Sequence, residues 1–251
     1  MISPMAIQES DDGGGIIILN PSNNEQKDIL REYYIDSPAF NQDSTKILAV
    51  TNKHTQIIEY DIDSKSIKDI YNDPNAIISE VEYIPNQRAI SFIKNLKLYY
   101  FDLETKSEKF ITDIAEGYSW STSKNCVIFT CMEKDGLMVY KYNLENGKSE
   151  RLFNGKDPVY SNDDKYIAYL KPGGRENLVV RELSSGIEWE YKKGGIYFYK
   201  FSPDGNYIAI QQERKNAIKE QEMVVWDFKN NNLGTLIEKI RNGRTGSFDW
   251  K

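Results

Sequence analysis

The chain has 251 residues, 39% of them hydrophobic and 12% aromatic, with 17 Tyr against 4 Trp, a composition suited to many half-buried strands and not to a disordered polymer. Its formal net charge of −6 and pI near 5.1 supply no basic field for a phosphate backbone, so nucleic acid is not expected as a partner. No run approaches the ~18 apolar residues of a membrane span, which argues against membrane insertion, and the N-terminus lacks the charged-then-apolar pattern of a signal peptide.

In chain order, the sequence opens with three strand-like segments, Pro4 to Glu9, Gly15 to Asn20 and Gln26 to Leu30. A unit of four strands then repeats, its first strand ending at an anchor aromatic: Phe40, Tyr83, Trp120, Tyr160, Phe201 and finally Trp250, spaced by 43, 37, 40, 41 and 49 residues. The second strands read as Lys46 to Val50, Arg88 to Ile93, Asn125 to Cys131, Tyr166 to Leu170 and Tyr207 to Gln211. The third read as Ile57 to Ile62, Leu98 to Leu103, Met138 to Leu144, Leu178 to Leu183 and Met223 to Phe228. Short fourth strands of mixed polarity follow: Ile67 to Tyr71, Glu108 to Ile111, Glu150 to Phe153, Glu188 to Tyr191 and Thr235 to Glu238. Apolar inner strands beside a polar outer edge are what a radial stack of small sheets requires, and a period of this length made of strands marks a β-propeller. The opening segments lack a first strand, and Thr245 to Trp250 at the other end has that character. Joined, they make a sixth blade that closes a ring, with residues 1–251 as a single domain.

The strings Phe201-Ser202-Pro203-Asp204-Gly205 followed by Tyr207-Ile208-Ala209, and Tyr160-Ser161-Asn162-Asp163-Asp164 followed by Tyr166-Ile167-Ala168, resemble the WD40-like repeats of TolB-type six-bladed propellers. The resemblance spans the chain as a repeat pattern, while only the unit at Phe201 matches it in full, and the separate N-terminal domain of TolB-type proteins is not expected among these 251 residues. It implies an all-β, six-bladed propeller that docks a protein or peptide partner at the first-strand face, in the cell envelope if an export signal has been removed. A cytoplasmic protein is the alternative.

The turn aspartates Asp43, Asp163, Asp164 and Asp204, and Asp61, Asp102 and Asp227 at the ends of third strands, read as hairpin chemistry and not as metal ligands. Gly13-Gly14-Gly15 precedes the strand Ile16 to Leu19 and not a helix, so it reads as a hairpin and not as a phosphate cradle. His54, the sole histidine, lies in a polar loop with no Ser or Cys nucleophile motif elsewhere, and one imidazole cannot build a multi-histidine metal site. Cys126 and Cys131 fall on one strand with alternation placing them on opposite faces, which makes them poor disulfide partners.

One constellation concentrates chemistry. In a propeller the first strands line the central channel, and aligning them on the anchor aromatic gives the pairs Asp36/Ser37, Ser79/Glu80, Glu116/Gly117, Lys156/Asp157, Tyr197/Phe198 and Gly246/Ser247. The channel mouth thus collects Asp36, Glu80, Glu116, Asp157 and Tyr197 as candidate ligand-binding residues, suited to a basic peptide group or a divalent cation. The insertion Gln211 to Glu222 is a second candidate surface. No cofactor is expected, with a channel cation as the exception to that expectation. The reading is a monomeric, non-catalytic binding module. The alternatives are a carboxylate-dependent hydrolase or lyase using the channel acids, and a sensor domain of a larger protein.

Overall fold

The computed structural model describes residues 5–9, 15–20, 25–31, 35–173, 177–193, 195–214, 221–240 and 248–250. Among them every regular element is a β-strand, arranged in four-stranded antiparallel sheets. The chain divides into two compact units, residues Met1–Asp113 with Asn242–Lys251, and residues Ile114–Arg241.

The first unit begins with β1 (Met5–Glu9), β2 (Gly15–Asn20) and β3 (Glu25–Arg31). Next come β4 (Asp36–Phe40), β5 (Lys46–Thr51), β6 (Gln56–Asp61) and β7 (Ile67–Asn72), then β8 (Ile78–Tyr83), β9 (Ala89–Lys94), β10 (Lys97–Asp102) and β11 (Glu108–Asp113). Each of the last two groups is a meander with its strands side by side in chain order. The second unit contains three further meanders. They are β12 (Glu116–Trp120) to β15 (Lys148–Asn154) by way of β13 (Cys126–Glu133) and β14 (Gly136–Asn143), β16 (Lys156–Tyr160), β17 (Tyr166–Lys171), β18 (Asn177–Glu182) and β19 (Glu188–Tyr191), and β20 (Ile196–Phe201), β21 (Ile208–Glu213), β22 (Gln221–Asp227) and β23 (Asn232–Ile240).

These five consecutive sheets are joined by a partial sixth in the first unit. There β24 (Phe248–Trp250) pairs antiparallel with β1, setting Met5 opposite Trp250 and Ile7 opposite Phe248, in the order β24-β1-β2-β3. The expected join of the two ends is therefore present over β24 and β1. Pro4 and residues 245–247 of that expectation lie outside the described residues, as do Gly13, Gly14 and Gly246, although Glu9 pairs with Gly15 as a hairpin requires.

Second strands are buried on both faces: β5, β9 and β17 each hold five buried residues in succession. Side chains from adjacent sheets meet over them. Leu48, Val50 and Ile57 pack with Ile78, Ile90 and Phe92 in the first unit, and Tyr166, Ala168 and Leu178 pack with Phe201, Trp226 and Phe228 in the second. Such cores have no purpose in an isolated sheet, which is why each blade depends on its neighbour. Outer strands β7, β11 and β15 begin with three or more exposed residues, many charged, which protects a free edge.

The turn aspartates act as the sequence reading requires, with one difference. In the Ser202 turn the Tyr207 N–H donates to Ser202 Oγ at 3.0 Å and the Asn206 N–H donates to Asp204 Oδ1 at 3.1 Å. The Ser161 turn repeats the first of these at 2.9 Å, and Asn41 Oδ1 plays the part of the serine for the Lys46 N–H at 2.9 Å. Asp61, Asp102 and Asp227 each accept N–H groups two or three residues on. Asp164, by contrast, leaves its own turn. It is 7% exposed and reaches the preceding blade, taking the N–H groups of Thr122 and Ser123 at 3.0 and 2.8 Å and the Ser121 hydroxyl at 2.9 Å.

Strand ends are the main divergence from the sequence reading. β21 starts at Ile208 and not Tyr207, β13 runs on to Glu133, third strands begin one or two residues earlier than expected, and β23 extends to nine residues. Ladder pairing continues through polar residues that an apolar count leaves out.

Candidate functional site

The aligned channel positions coincide with a backbone irregularity at the start of the first strands. In β4, β8, β12, β16 and β20 the pairing with the second strand slips there: Asp36 faces Val50 before Ala39 faces Leu48, and Lys156 faces Leu170 before Val159 faces Ala168. Each slip is a β-bulge. In four of the strands one residue within it has a left-handed backbone, Ser37 at φ +54°, Glu80 at +50°, Gly117 at +30° and Asp157 at +51°. For a residue other than glycine that geometry is disfavoured by roughly 1–2 kcal/mol. The four carboxylates therefore occupy two kinds of place. Asp36 and Glu116 precede the left-handed residue, whereas Glu80 and Asp157 are that residue.

In the first unit Asp36 Oδ1 accepts the Ser37 N–H at 2.6 Å, and the Ser37 hydroxyl oxygen accepts the N–H of Glu80 from the next blade at 3.1 Å. Asp36 and Glu80 are thus joined through Ser37. In the second unit Lys156 Nζ lies 3.5 Å from Glu116 Oε2, the Asp157 N–H donates to Thr130 Oγ1 at 3.0 Å, and the Tyr199 hydroxyl donates to the Asp157 carbonyl. A Cβ on Gly117 would stand 2.7 Å from Asp157 Oδ1 and 2.9 Å from its Cα, so glycine is what lets these strands approach. Tyr197, 52% exposed, donates to Glu213 Oε1 at 3.1 Å, and its hydroxyl is pushed up first by burial and then by that carboxylate. This bond links the two sequence candidates, since Glu213 stands within the insertion Gln211 to Glu222. Residues 215–220 of that insertion lie outside the described residues. Among the described residues no three His, Cys, Asp or Glu side chains are gathered as a metal cage needs.

Capture of N–H groups by the adjacent blade recurs along the first strands. The Phe40 N–H donates to Asp249 Oδ2 at 2.8 Å and the Tyr160 N–H to Ser119 Oγ at 3.1 Å. First strands are sheet edges, and their outward N–H groups are satisfied by a neighbour's side chain instead of by a further strand. Ser37 is one of the aligned first-strand positions, whereas Asp249, Ser119 and Thr130 carry no motif and are visible in the sequence only as small polar residues on expected strands.

The start of a first strand and the hairpin between second and third strands share one end of each blade, as the Glu213 N–H donating to the Gly195 carbonyl at 2.8 Å and the Asn95 N–H donating to the Ile77 carbonyl at 3.0 Å show. The three most exposed large apolar side chains of the described residues each stand at the corresponding end of their own blade, Ile77 at 69% and Leu96 at 69% in the first unit and Met132 at 67% in the second. His54 belongs to the same end in the first unit. It is partly exposed at φ +67°, and its carbonyl accepts the Ile78 N–H at 2.6 Å.

No family model matches the chain, and no curated protein matches it. Its backbone is similar to solved structures. TolB from Acinetobacter baumannii aligns at TM-score 0.85 and 18% identity over 99% of this chain, which spans 66% of that one. A putative TolB from Agrobacterium tumefaciens aligns at 0.75 and 13% identity over 94% of this chain and 89% of that one. A chain of a nidogen/laminin complex aligns at 0.78 and 9% identity over 98% and 97%. At these identities the likeness is one of fold: the chain is an all-β propeller with four-stranded blades.

Proposed function

We propose that the chain is a non-catalytic binding propeller of six blades in one ring, with residues 1–251 as a single domain that engages a protein or peptide partner at the end of the blades where first strands begin. The observation that carries this reading is the placement of Ile77, Leu96 and Met132, the most exposed large apolar side chains among the described residues, at that one end of their blades. Large apolar groups held in water cost solvation free energy unless something covers them. The acids at the same end are engaged locally, Asp36 by a backbone N–H and Glu116 by Lys156, which suits a recognition surface better than an acid–base pair. The likeness to TolB and to a chain of the nidogen/laminin complex supports a protein partner, and the TolB-type resemblance supports a place in the cell envelope.

The test uses a photo-crosslinking amino acid at Met132 or Tyr197, and in parallel at Leu183 or Ile187 at the opposite end of their blade. Crosslinks to a discrete partner from the first pair only support the reading. Crosslinks confined to the second pair sink it. Replacing Glu80 and Glu116 together by Gln is expected to weaken capture of that partner with the melting curve unchanged.

A further inference from the structure

The hairpins from third to fourth strands reuse one turn, and asparagine enters it in two blades. In the turn from Asn143 the Gly147 N–H donates to the Asn143 carbonyl at 2.9 Å, as the Lys106 N–H does to the Asp102 carbonyl at 3.0 Å and the Gly186 N–H to the Glu182 carbonyl at 2.9 Å. The last residue of the turn is left-handed in each case, Lys65 at φ +56°, Lys106 at +57°, Gly147 at +66°, Gly186 at +74° and Asn231 at +54°. The residues before it are Ser64, Thr105, Asn146, Ser185 and Asn230. Among these turns only Asn146-Gly147 sets an exposed side-chain amide before a backbone nitrogen that no Cβ screens.

Asn146 is also held for reaction. Its Oδ1 accepts the Lys148 N–H at 2.9 Å, which lays the side-chain amide along the Gly147 backbone and draws electron density from the amide carbon. Asn230, in the same place, turns its amide back, Nδ2 donating to Asp227 Oδ2 at 2.9 Å. Asn154-Gly155 has the reactive sequence without the access: Gly155 is buried, its N–H donates to the Leu137 carbonyl at 3.1 Å, and a Cβ there would stand 2.6 Å from the Tyr169 ring. We propose that Asn146 is a site of spontaneous covalent modification, in which the Gly147 nitrogen attacks Asn146 Cγ and expels ammonia. The new C–N bond closes a succinimide, the bond from Cγ to the amide nitrogen breaks, and the Gly147 proton departs with the ammonia. Water then opens the ring at either carbonyl, leaving aspartate or isoaspartate. The Gly147 N–H must first leave the Asn143 carbonyl, and an exposed turn opens more readily than a buried strand end. The product carries a new negative charge, and its isoaspartate form lengthens the backbone inside the hairpin that begins with the pairing of Asn143 and Lys148. The Leu144 N–H donating to the Asn125 carbonyl sets this turn at the opposite end of its blade from Met132, so the change leaves the proposed partner surface alone.

The test incubates the full chain, folded and separately in urea, in mildly alkaline buffer and maps its peptides by fragmentation mass spectrometry, which also separates Asn146 from Asn242-Gly243 outside the described residues. In the folded chain Asn146 is expected to convert at least about tenfold faster than Asn154, whereas in urea the two should convert at similar rates. Gly147→Lys, a side chain that the same turn carries at Lys65 and Lys106, should slow Asn146 by about tenfold or more while the chain stays folded. Equal folded rates at Asn146 and Asn154, the same disparity in urea, an Asn146 that stays intact, or an undiminished rate in Gly147→Lys would overturn the proposal.

Discussion

Replacing Asp164 by alanine removes a carboxylate that joins two adjacent blades. That carboxylate accepts two backbone N–H groups, Thr122 and Ser123, and the hydroxyls of Ser121, Ser123 and Thr122, all within 3.2 Å. Hydrogen bonds to a charged group are worth about 1.5–3 kcal/mol each, but Thr122 and Ser123 stand close enough to solvent to regain water, so the summed loss is set at about 3 kcal/mol. For a chain of this size that lowers Tm by roughly 6–12 °C. Burial alone would raise the Asp164 carboxyl, and the hydrogen bonds from the Ser123 side chain and backbone, then Thr122 and Ser121, outweigh it and leave the group below the ordinary carboxylate range. A lowered folded pKa contributes stability that is fully present above the unfolded aspartate value near ~3.9 and is lost as pH falls through the folded value. Urea unfolding of the parent and Asp164→Ala, followed by tryptophan fluorescence, should thus show a constant gap in midpoint from about pH 8 down to about pH 5 and a narrowing one below about pH 4. A neutral-pH difference under about 1 kcal/mol, or a gap that persists undiminished at about pH 3, would refute the reasoning.

Lys65 at φ +56° holds the turn place that Gly147 and Gly186 hold in other blades, so Lys65→Gly should raise stability by about 0.5–1 kcal/mol in the same urea assay, and a loss would show that Lys65 makes a compensating contact. Gly117→Ala should cost about 2–4 kcal/mol, because the methyl meets the Asp157 backbone and the left-handed strain adds to the clash; unchanged melting would mean that the strands part freely. Ending the chain at residue 247 removes buried Phe248 and Trp250 and the Asp249 acceptor, and calorimetry should show loss of a single cooperative transition. Cys126, buried, and Cys131, partly exposed, should stay unbridged after mild oxidation, as intact-mass analysis without reductant would record.

The four-strand meander was legible because anchor aromatics and turn residues recur at one period, and because Ser202 and Asp204 make the same local bonds wherever their turn appears. Strand ends were less so, since polar residues such as Gln212 and Glu133 belong to ladders by backbone pairing alone. The aligned positions fall on bulges that the alignment did not foresee; side-chain direction inside a bulge depends on which residue turns left-handed, and nothing in Asp36-Ser37 against Ser79-Glu80 announces that choice. Leu96 escaped notice for a related reason: leucine in a short polar segment reads as part of a strand until the turn type is known. Asp164 looked like a turn residue because its neighbour Asp163 is one.

The bond between Phe40 and Asp249 spans 209 positions of sequence. During synthesis β1 emerges well before β24 and waits, its free edge unfilled, until β24 has left the ribosome. The blades between can dock on one another in the order they appear, but the starting sheet cannot be completed first, whatever its intrinsic stability. Completion of that sheet therefore waits on a step whose rate is set by how quickly distant β24 finds β1. Until then a chaperone, a crowded neighbour or a second nascent chain would find the same vacant ladder, which makes that interval the time of greatest hazard in the life of the molecule.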